Sequence, residues 1–179
     1  GTGQTYALTA GTPDAGSSNS VTWSQIKNIS DSTGTVAFGT SGSVTGNITA
    51  STLDYSTYGS AVAFNLLGTS NTTTGIGGTW TGVTAVTGSS QSDTLNGSGQ
   101  TYTLDNTVAD KGSNGTVTWT SFENLNDSTG TVAFGTSGSV TGNVNASALD
   151  YSSYGSAVAF NLLGTSSNTT SGIGGTWTG

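Results

Sequence analysis

The sequence predicts an all-β chain wound as a right-handed parallel β-solenoid, with tandem β-sandwich domains as the alternative. Three observations point there. Short runs alternate apolar and polar residues with a period of two, a 96-residue unit occurs twice, and strand centres inside that unit recur every eight or nine residues.

The alternating runs are Tyr102-Thr-Leu104, Val117-Thr-Trp119, Val132-Ala-Phe134, Leu149-Asp-Tyr151 and Val158-Ala-Phe160-Asn-Leu162. Gly, Ser, Asn or Asp separates each from the next and supplies the bends. No window of 11 or more residues carries a helical period, and the 64 Ser and Thr residues lower helix propensity throughout.

Asp31 to Ser70 and Asp127 to Ser166 match at 36 of 40 positions. The offset of 96 also relates Gly3-Gln-Thr-Tyr6 to Gly99-Gln-Thr-Tyr102 and Trp23 to Trp119. After one inserted residue, Gly75 to Trp80 recurs as Gly172 to Trp177. Residues 1–96 are therefore a first repeat and 97–179 a second, incomplete one, expected to form one continuous rod. Neither end carries the distinctive cap that closes a repeat array. With a start at Gly1 and no Met anywhere, this leads us to expect a piece of a longer array, or a subunit completed by its neighbours.

Spacing inside the unit favours the solenoid. Val-Ala-Phe at 132–134 returns at 158–160, with strand centres near Val140 and Leu149 between them. Three such strands make a coil of about 24 to 27 residues, so about four coils fill the repeat, and at ~4.8 Å per stacked strand the unit lengthens a rod by roughly 19 Å. A 96-residue unit with seven or more short strands also has the size of an immunoglobulin-like sandwich. The sandwich signature is missing, because there is no Cys pair to flank Trp23, Trp80, Trp119 or Trp177.

Composition agrees with a thin coil. Thr, Ser and Gly make up 93 of 179 residues, while Val, Ile, Leu and Phe together supply less than a fifth. So low an apolar fraction would mean disorder in a highly charged chain, but only 6% of this one is charged. A narrow cross-section needs few large inward side chains, and outward Thr is a β-branched strand former.

The same composition excludes several functions. Without His, Cys or Arg there is no imidazole base, thiolate nucleophile, zinc-cysteine site or arginine clamp for phosphate. A net charge of −7, with Lys27 and Lys111 as the cations, argues against nucleic acid and against an anionic membrane surface. No apolar run is long enough to insert into a bilayer.

The run from Leu149 to Leu162, the Gly172-Ile-Gly-Gly-Thr-Trp177 motif, the segment Val86 to Gly97 and the Phe122-Glu-Asn-Leu125 motif resemble the long repeat regions of giant bacterial surface proteins. These comprise filamentous-haemagglutinin-like adhesins and proteins related to haemolysin-type calcium-binding repeats. The resemblance covers nearly the whole chain and rests on low-complexity motifs. It implies an extracellular, cell-surface parallel β-solenoid serving attachment, biofilm matrix or filament formation.

Its calcium component fails on the residues. Such repeats follow G-G-x-G-x-D-x-U-x. In Gly88 to Asn96, Gly88, Asp93 and Leu95 fit, but Ser89 and Gln91 stand where glycines belong. After Leu125, Val132 takes the aspartate position. Nine scattered acids cannot line a roll of calcium sites.

Other candidates read as structural. Asp54 and Asp150 are equivalent copies 96 residues apart rather than the close pair that hydrolysis needs, and are expected to cap turns beside packed Tyr55 and Tyr151. Asp14, Asp110, Asp31 and Asp127 are expected in Gly/Ser-rich turns. Lys27 and Glu123 share a repeat position with opposite charge. The four Trp and six Tyr could form a sugar platform but sit in alternating strands, which favours core packing. The Thr-x-Thr pairs Thr33/Thr35, Thr101/Thr103, Thr118/Thr120 and Thr176/Thr178 suggest an ice-binding face but do not recur once per coil. Asn-x-Ser/Thr occurs at Asn28, Asn47, Asn71, Asn96, Asn114, Asn126, Asn145 and Asn168, near the number chance gives in so Ser/Thr-rich a chain.

The resulting expectation is a non-enzymatic structural repeat with no catalytic, cofactor or metal site. Its partner would be itself, end to end as a homopolymer or alongside neighbouring repeats of a longer chain. An adhesin module that takes a glycan or a protein ligand is the alternative.

Overall fold

The computed structural model describes residues 1–67, 73–163 and 168–179. Among them there is no helix, and the chain divides into two compact units, Gly1–Gln91 and Ser92–Gly179.

In the first unit β1 (Thr5–Leu8), β2 (Gly16–Ser18) and β3 (Val21–Trp23) form an antiparallel meander with Ala7 opposite Ser17 and Ser17 opposite Thr22. The pairing then turns parallel. Strand β4 (Ile29–Ala37) lies beside β1 with Tyr6 opposite Val36, and β5 (Ile48–Asp54) lies beside β4 with Ile29 opposite Ile48 and Val36 opposite Leu53. β6 (Ala63–Asn65) comes next in the chain; β7 (Trp80–Thr81) and β8 (Ala85–Thr87) then follow on β5, with Ile48 opposite Trp80 and Leu53 opposite Val86. A single parallel bridge joins Val44 to Ile76.

The second unit repeats the pattern. Strand β9 (Thr94–Asn96) and β10 (Thr101–Leu104) both lie parallel to β13 (Asn124–Ala133), with Leu95 opposite Leu125 and Tyr102 opposite Val132. β11 (Gly112–Ser113) and β12 (Thr118–Thr120) rebuild the meander. β14 (Val144–Asp150) follows β13 with Leu125 opposite Val144 and Val132 opposite Leu149. β15 (Phe160–Asn161) and β16 (Thr169–Thr170) pair antiparallel, and β17 (Trp177–Thr178) lies parallel to β14 with Val144 opposite Trp177.

Stacking is thus mainly parallel and in register, but its step departs from the uniform coil length that strand spacing suggests. Tyr6 to Val36 is a step of 30, Ile29 to Ile48 one of 19, Val36 to Leu53 one of 17, and Leu53 to Val86 one of 33. The long steps carry excursions, such as the meander between β1 and β4, which strand spacing alone does not reveal. Val140 is a lone bridge rather than a strand, and the run from Val158 to Leu162 shortens to two strand residues.

The cores form as period-two alternation requires. In β4 the buried residues are Ile29, Asp31, Gly34 and Val36, and in β13 Leu125, Asp127, Gly130 and Val132. Rings continue the stack. Phe38 lies flat on Tyr55 at 4.0 Å between centroids, Phe134 on Tyr151 at 4.3 Å, and Phe64 on Trp80 at 5.1 Å. Gly172, at φ +80°, lets backbone pass over Phe134, since a Cβ there would stand 2.8 Å from the ring.

Candidate functional site

The most elaborate polar arrangement is a buried carboxylate that occurs once per repeat. Between Asp31 and Thr35 the register of β4 against β5 shifts, because β4 carries extra residues there. Asp31 turns its carboxylate into that bulge. Its Oδ1 accepts from Gly3 N (3.1 Å), Thr33 N (3.2 Å) and Thr33 Oγ1 (3.1 Å), and its Oδ2 from Gln4 N (3.0 Å) and Tyr6 OH (3.1 Å). Asp127 accepts the same five bonds, from Gly99 N, Thr129 N, Thr129 Oγ1, Gln100 N and Tyr102 OH at 2.8 to 3.3 Å. Gly34 and Gly130 are required beside them, since a Cβ at either would come within 2.7 Å of the carboxyl carbon.

The electrostatics follow from this geometry. The N–H of Gln4, with those of Gly3 and Thr33, holds the Asp31 carboxyl well below the usual carboxylate range despite its desolvation. At Asp127 burial pushes the carboxyl up, but the N–H groups of Gln100, Gly99 and Thr129 outweigh it and leave it lowered. Burial and then the Asp127 charge raise the Tyr102 phenol far above its ordinary value. Each carboxylate is therefore saturated, and its phenol is a fixed donor rather than an acid for chemistry. These aspartates sit inside strands and are buried, which corrects the reading of Asp31 and Asp127 as turn residues.

Asp14 and Asp110 do lie in turns, at φ 60° and 59°, in the left-handed region that Asp tolerates. Each caps the segment stacked beside it. Asp14 accepts from Thr45 N (2.7 Å) and Thr45 Oγ1 (2.8 Å), and Asp110 takes the same pair from Thr141. Asp54 and Asp150 accept from Ser56 N (2.9 Å) and Ser152 N (2.8 Å), the turn-capping role the sequence suggests.

A second arrangement escapes sequence reasoning. Asparagines stand above one another on successive parallel strands. Asn28 Oδ1 accepts from Asn47 N (2.7 Å), and Asn47 Oδ1 accepts from Thr79 N (2.9 Å) and Thr79 Oγ1 (3.2 Å). In the second unit Asn124, Asn143 and Thr176 repeat this, with bonds of 2.8 to 3.1 Å. Beside it, Asn126 Nδ2 donates to Asn96 Oδ1 (2.8 Å) and Asn145 Nδ2 to Asn126 Oδ1 (3.0 Å). Such ladders form where like strands stack in register. Five of the Asn-x-Ser/Thr asparagines, Asn28, Asn47, Asn96, Asn126 and Asn145, are ladder members; Asn71 lies outside the described residues.

The remaining candidates do not converge. Glu123, raised by burial, accepts from Asp93 N at 2.7 Å, while Lys27 is exposed. Asp93 and Ser89 are buried, and Ser89 Oγ accepts from Gln91 N at 3.0 Å. Among the described residues no three acidic side chains gather where they could hold a metal ion, and the ion pair present is Lys111 to Asp105 at 3.3 Å. Of the four Trp and six Tyr, Trp80, Trp119, Tyr55 and Tyr102 are buried, and the other six are half-buried. Thr33 and Thr176 direct their hydroxyls to Asp31 and Asn143 rather than to a flat outer face.

Compared with protein-family models, curated proteins and solved structures, the chain matches none of them.

Proposed function

We infer that the chain is a structural repeat unit of an extracellular bacterial filament or surface fibre, a right-handed parallel β-solenoid that assembles end to end by stacking coils. One observation carries this reading. Strands β1, β4, β5 and β8 form four consecutive parallel levels, Tyr6, Val36, Leu53 and Val86, and the second unit repeats the first three of them as Tyr102, Val132 and Leu149. Sandwich domains are built from antiparallel pairs, so the parallel register favours the solenoid.

The polar groups support the same reading. Asp31, Asp127 and the Asn ladders direct their bonding capacity along the stack rather than into a cleft, which suits a mechanical role better than an enzymatic one. The acidic surface keeps such rods apart in solution.

Electron microscopy of chains lengthened by whole repeats tests it. Each added 96-residue unit should lengthen a particle of constant width by the same increment. Particles that widen, or that resolve into separate beads, would overturn the reading.

A further inference from the structure

Asparagine is followed by glycine at two places, Asn96-Gly97 and Asn114-Gly115. Asn is chemically labile, and most so before Gly, where no Cβ keeps the next backbone nitrogen away from the side-chain carbonyl. The second unit holds both pairs and treats them oppositely.

Asn96 ends β9. Its Oδ1 accepts from Asn126 Nδ2 at 2.8 Å, and Gly97 N donates to Asn126 O at 3.1 Å. Gly97 also packs against the Tyr102 hydroxyl and the Gln100 side chain, with no room for a Cβ. Its nitrogen can reach Asn96 Cγ only after this segment leaves β13, and backbone locked in that way reacts through such local openings.

Asn114-Gly115 lies in the turn between β11 and β12. Gly115 is exposed at φ +88°, with nothing within 4 Å of the place a Cβ would take. Its N–H donates to the Ser113 hydroxyl at 2.9 Å, a contact that one side-chain rotation releases. Asn114 Oδ1 accepts from Thr116 N (3.1 Å) and Val117 N (2.8 Å). Two backbone N–H groups thus already point at the oxygen that turns negative when a nucleophile adds to Cγ, as in an oxyanion hole.

We propose that Asn114 is a self-modifying site, which converts through a cyclic imide to aspartate and isoaspartate. Gly115 N bonds to Asn114 Cγ and gives up its proton, the Cγ–Nδ2 bond breaks, and the amide leaves as ammonia. One water then opens the ring at either carbonyl. In sum, an amide and water give a carboxylate and ammonium, with no oxidant or cofactor.

The change alters the turn and the charge. Asn114 Nδ2 donates to Gln100 Oε1 at 2.9 Å, which ties the turn to the start of β10. A carboxylate there faces an acceptor, and Gln100 Nε2 is engaged with Ser98 O at 3.1 Å, so the tie is lost. Net charge moves from −7 to −8, one negative charge per event. The first repeat carries Ser18 and Asn19 at the equivalent positions, so the mark falls on one copy. It does so whether or not the chain builds fibres.

The test incubates the 179-residue chain in mildly alkaline buffer, folded and in guanidinium chloride. Peptide mapping by mass spectrometry follows each Asn, and ion exchange follows the added charge. In the folded chain Asn114 should convert at least ~10-fold faster than Asn96, a barrier difference of about 1.4 kcal/mol. Unfolded, the two should convert at similar rates. Asn114→Gln, whose longer side chain closes a larger ring, should hold the folded chain at its original charge. The proposal falls if Asn114 stays an amide in the folded chain, if Asn96 keeps pace with it there, or if the Asn114→Gln chain gains charge as fast as the unaltered one.

Discussion

Replacing Asp127 with Asn removes one charge and almost no volume, which makes it a clean probe of the buried carboxylate. The carboxylate accepts three donors on Oδ1 and two on Oδ2. An amide accepts through one oxygen only. If that oxygen stays with Gly99 and Thr129, the amide nitrogen faces Gln100 N, formerly 2.8 Å from Oδ2, and a buried N–H loses its acceptor. If the amide turns over, Gly99 N and Thr129 N lose theirs. The Tyr102 hydroxyl can rotate to accept, so the smallest loss is one charge-assisted bond plus one stranded donor. At ~1.5 to 3 kcal/mol for the first and ~1 to 3 for the second, with weaker bonds to a neutral acceptor added, we expect Asp127→Asn to destabilise by about 3 to 5 kcal/mol. That corresponds to a fall in thermal midpoint of roughly 6 to 20 °C for a chain of this size. Urea unfolding at pH 7, followed by circular dichroism and by fluorescence of Trp119, whose ring meets Tyr102 edge-on at 5.8 Å, measures it. A loss under about 1 kcal/mol would refute the view that saturated hydrogen bonding makes this carboxylate a structural keystone.

Further outcomes follow from the same contacts. Asp31, Asp105, Asp127 and Asp150 all have lowered carboxyl values. Their stabilisation is complete above the unfolded value of about 3.9 and is lost as pH falls from there through the folded values. Glu123, raised by burial, opposes this as a single group. The thermal midpoint should therefore drop below about pH 4 and show no histidine step between pH 6 and 8 in this His-free chain; a midpoint unchanged at pH 2.5 would contradict this. Gly172→Ala meets both a φ of +80° and the Phe134 ring, whereas Gly115→Ala meets φ +88° with open space around it. Chemical denaturation should give about 2 to 4 kcal/mol for the first and about 1 to 2 for the second; equal losses would dismiss the ring contact. Asn143→Ala removes the acceptor of Thr176 N and Oγ1. It should cost about 1 kcal/mol, and hydrogen exchange at the Thr176 amide should quicken while the Tyr102 amide is unaffected.

The all-β class is legible from alternation because apolar side chains must face one way in a strand, and Leu125, Val132 and Phe134 are buried as that rule requires. The step length is not. Strand spacing treats every strand as part of one coil, but β2 and β3 lie in an excursion that returns the chain to the stack, so Tyr6 meets Val36 rather than a residue nearer in the chain. A shorter signal inside the repeat does mark the levels. Asn28-Ile-Ser, Asn47-Ile-Thr and Thr79-Trp-Thr share a polar-apolar-polar pattern headed by a residue able to join a ladder, and Ile29, Ile48 and Trp80 do stack. Asp31 was hidden for a different reason. An aspartate followed by Ser-Thr-Gly has the composition of a turn, and only the long-range bonds from Gly3, Gln4 and Tyr6 draw it inward.

The copies differ most within the step that carries the meander. The short step from β4 to β5, which sets Ile29 against Ile48 and Val36 against Leu53, has no slack. Its side chains fill the core and its turn must close at once, and Asp31 to Tyr55 differs from its copy at only three positions. The long step between β1 and β4 carries the meander, and there most positions change between copies. Those that persist have identifiable work. Leu8 and Leu104 are buried, Asp14 and Asp110 cap Thr45 and Thr141, and Trp23 and Trp119 meet Tyr6 and Tyr102 edge-on. Lys27 and Glu123 differ in contacts as well as in charge, since Lys27 is exposed and Glu123 accepts from Asp93 N. The other long step, from Leu53 to Val86, is by contrast kept almost unchanged as far as Gly82, so step length alone does not decide where the copies vary. The period of 96, long for a coil, reflects a succession of short and long steps that must all pass before the pattern maps onto itself.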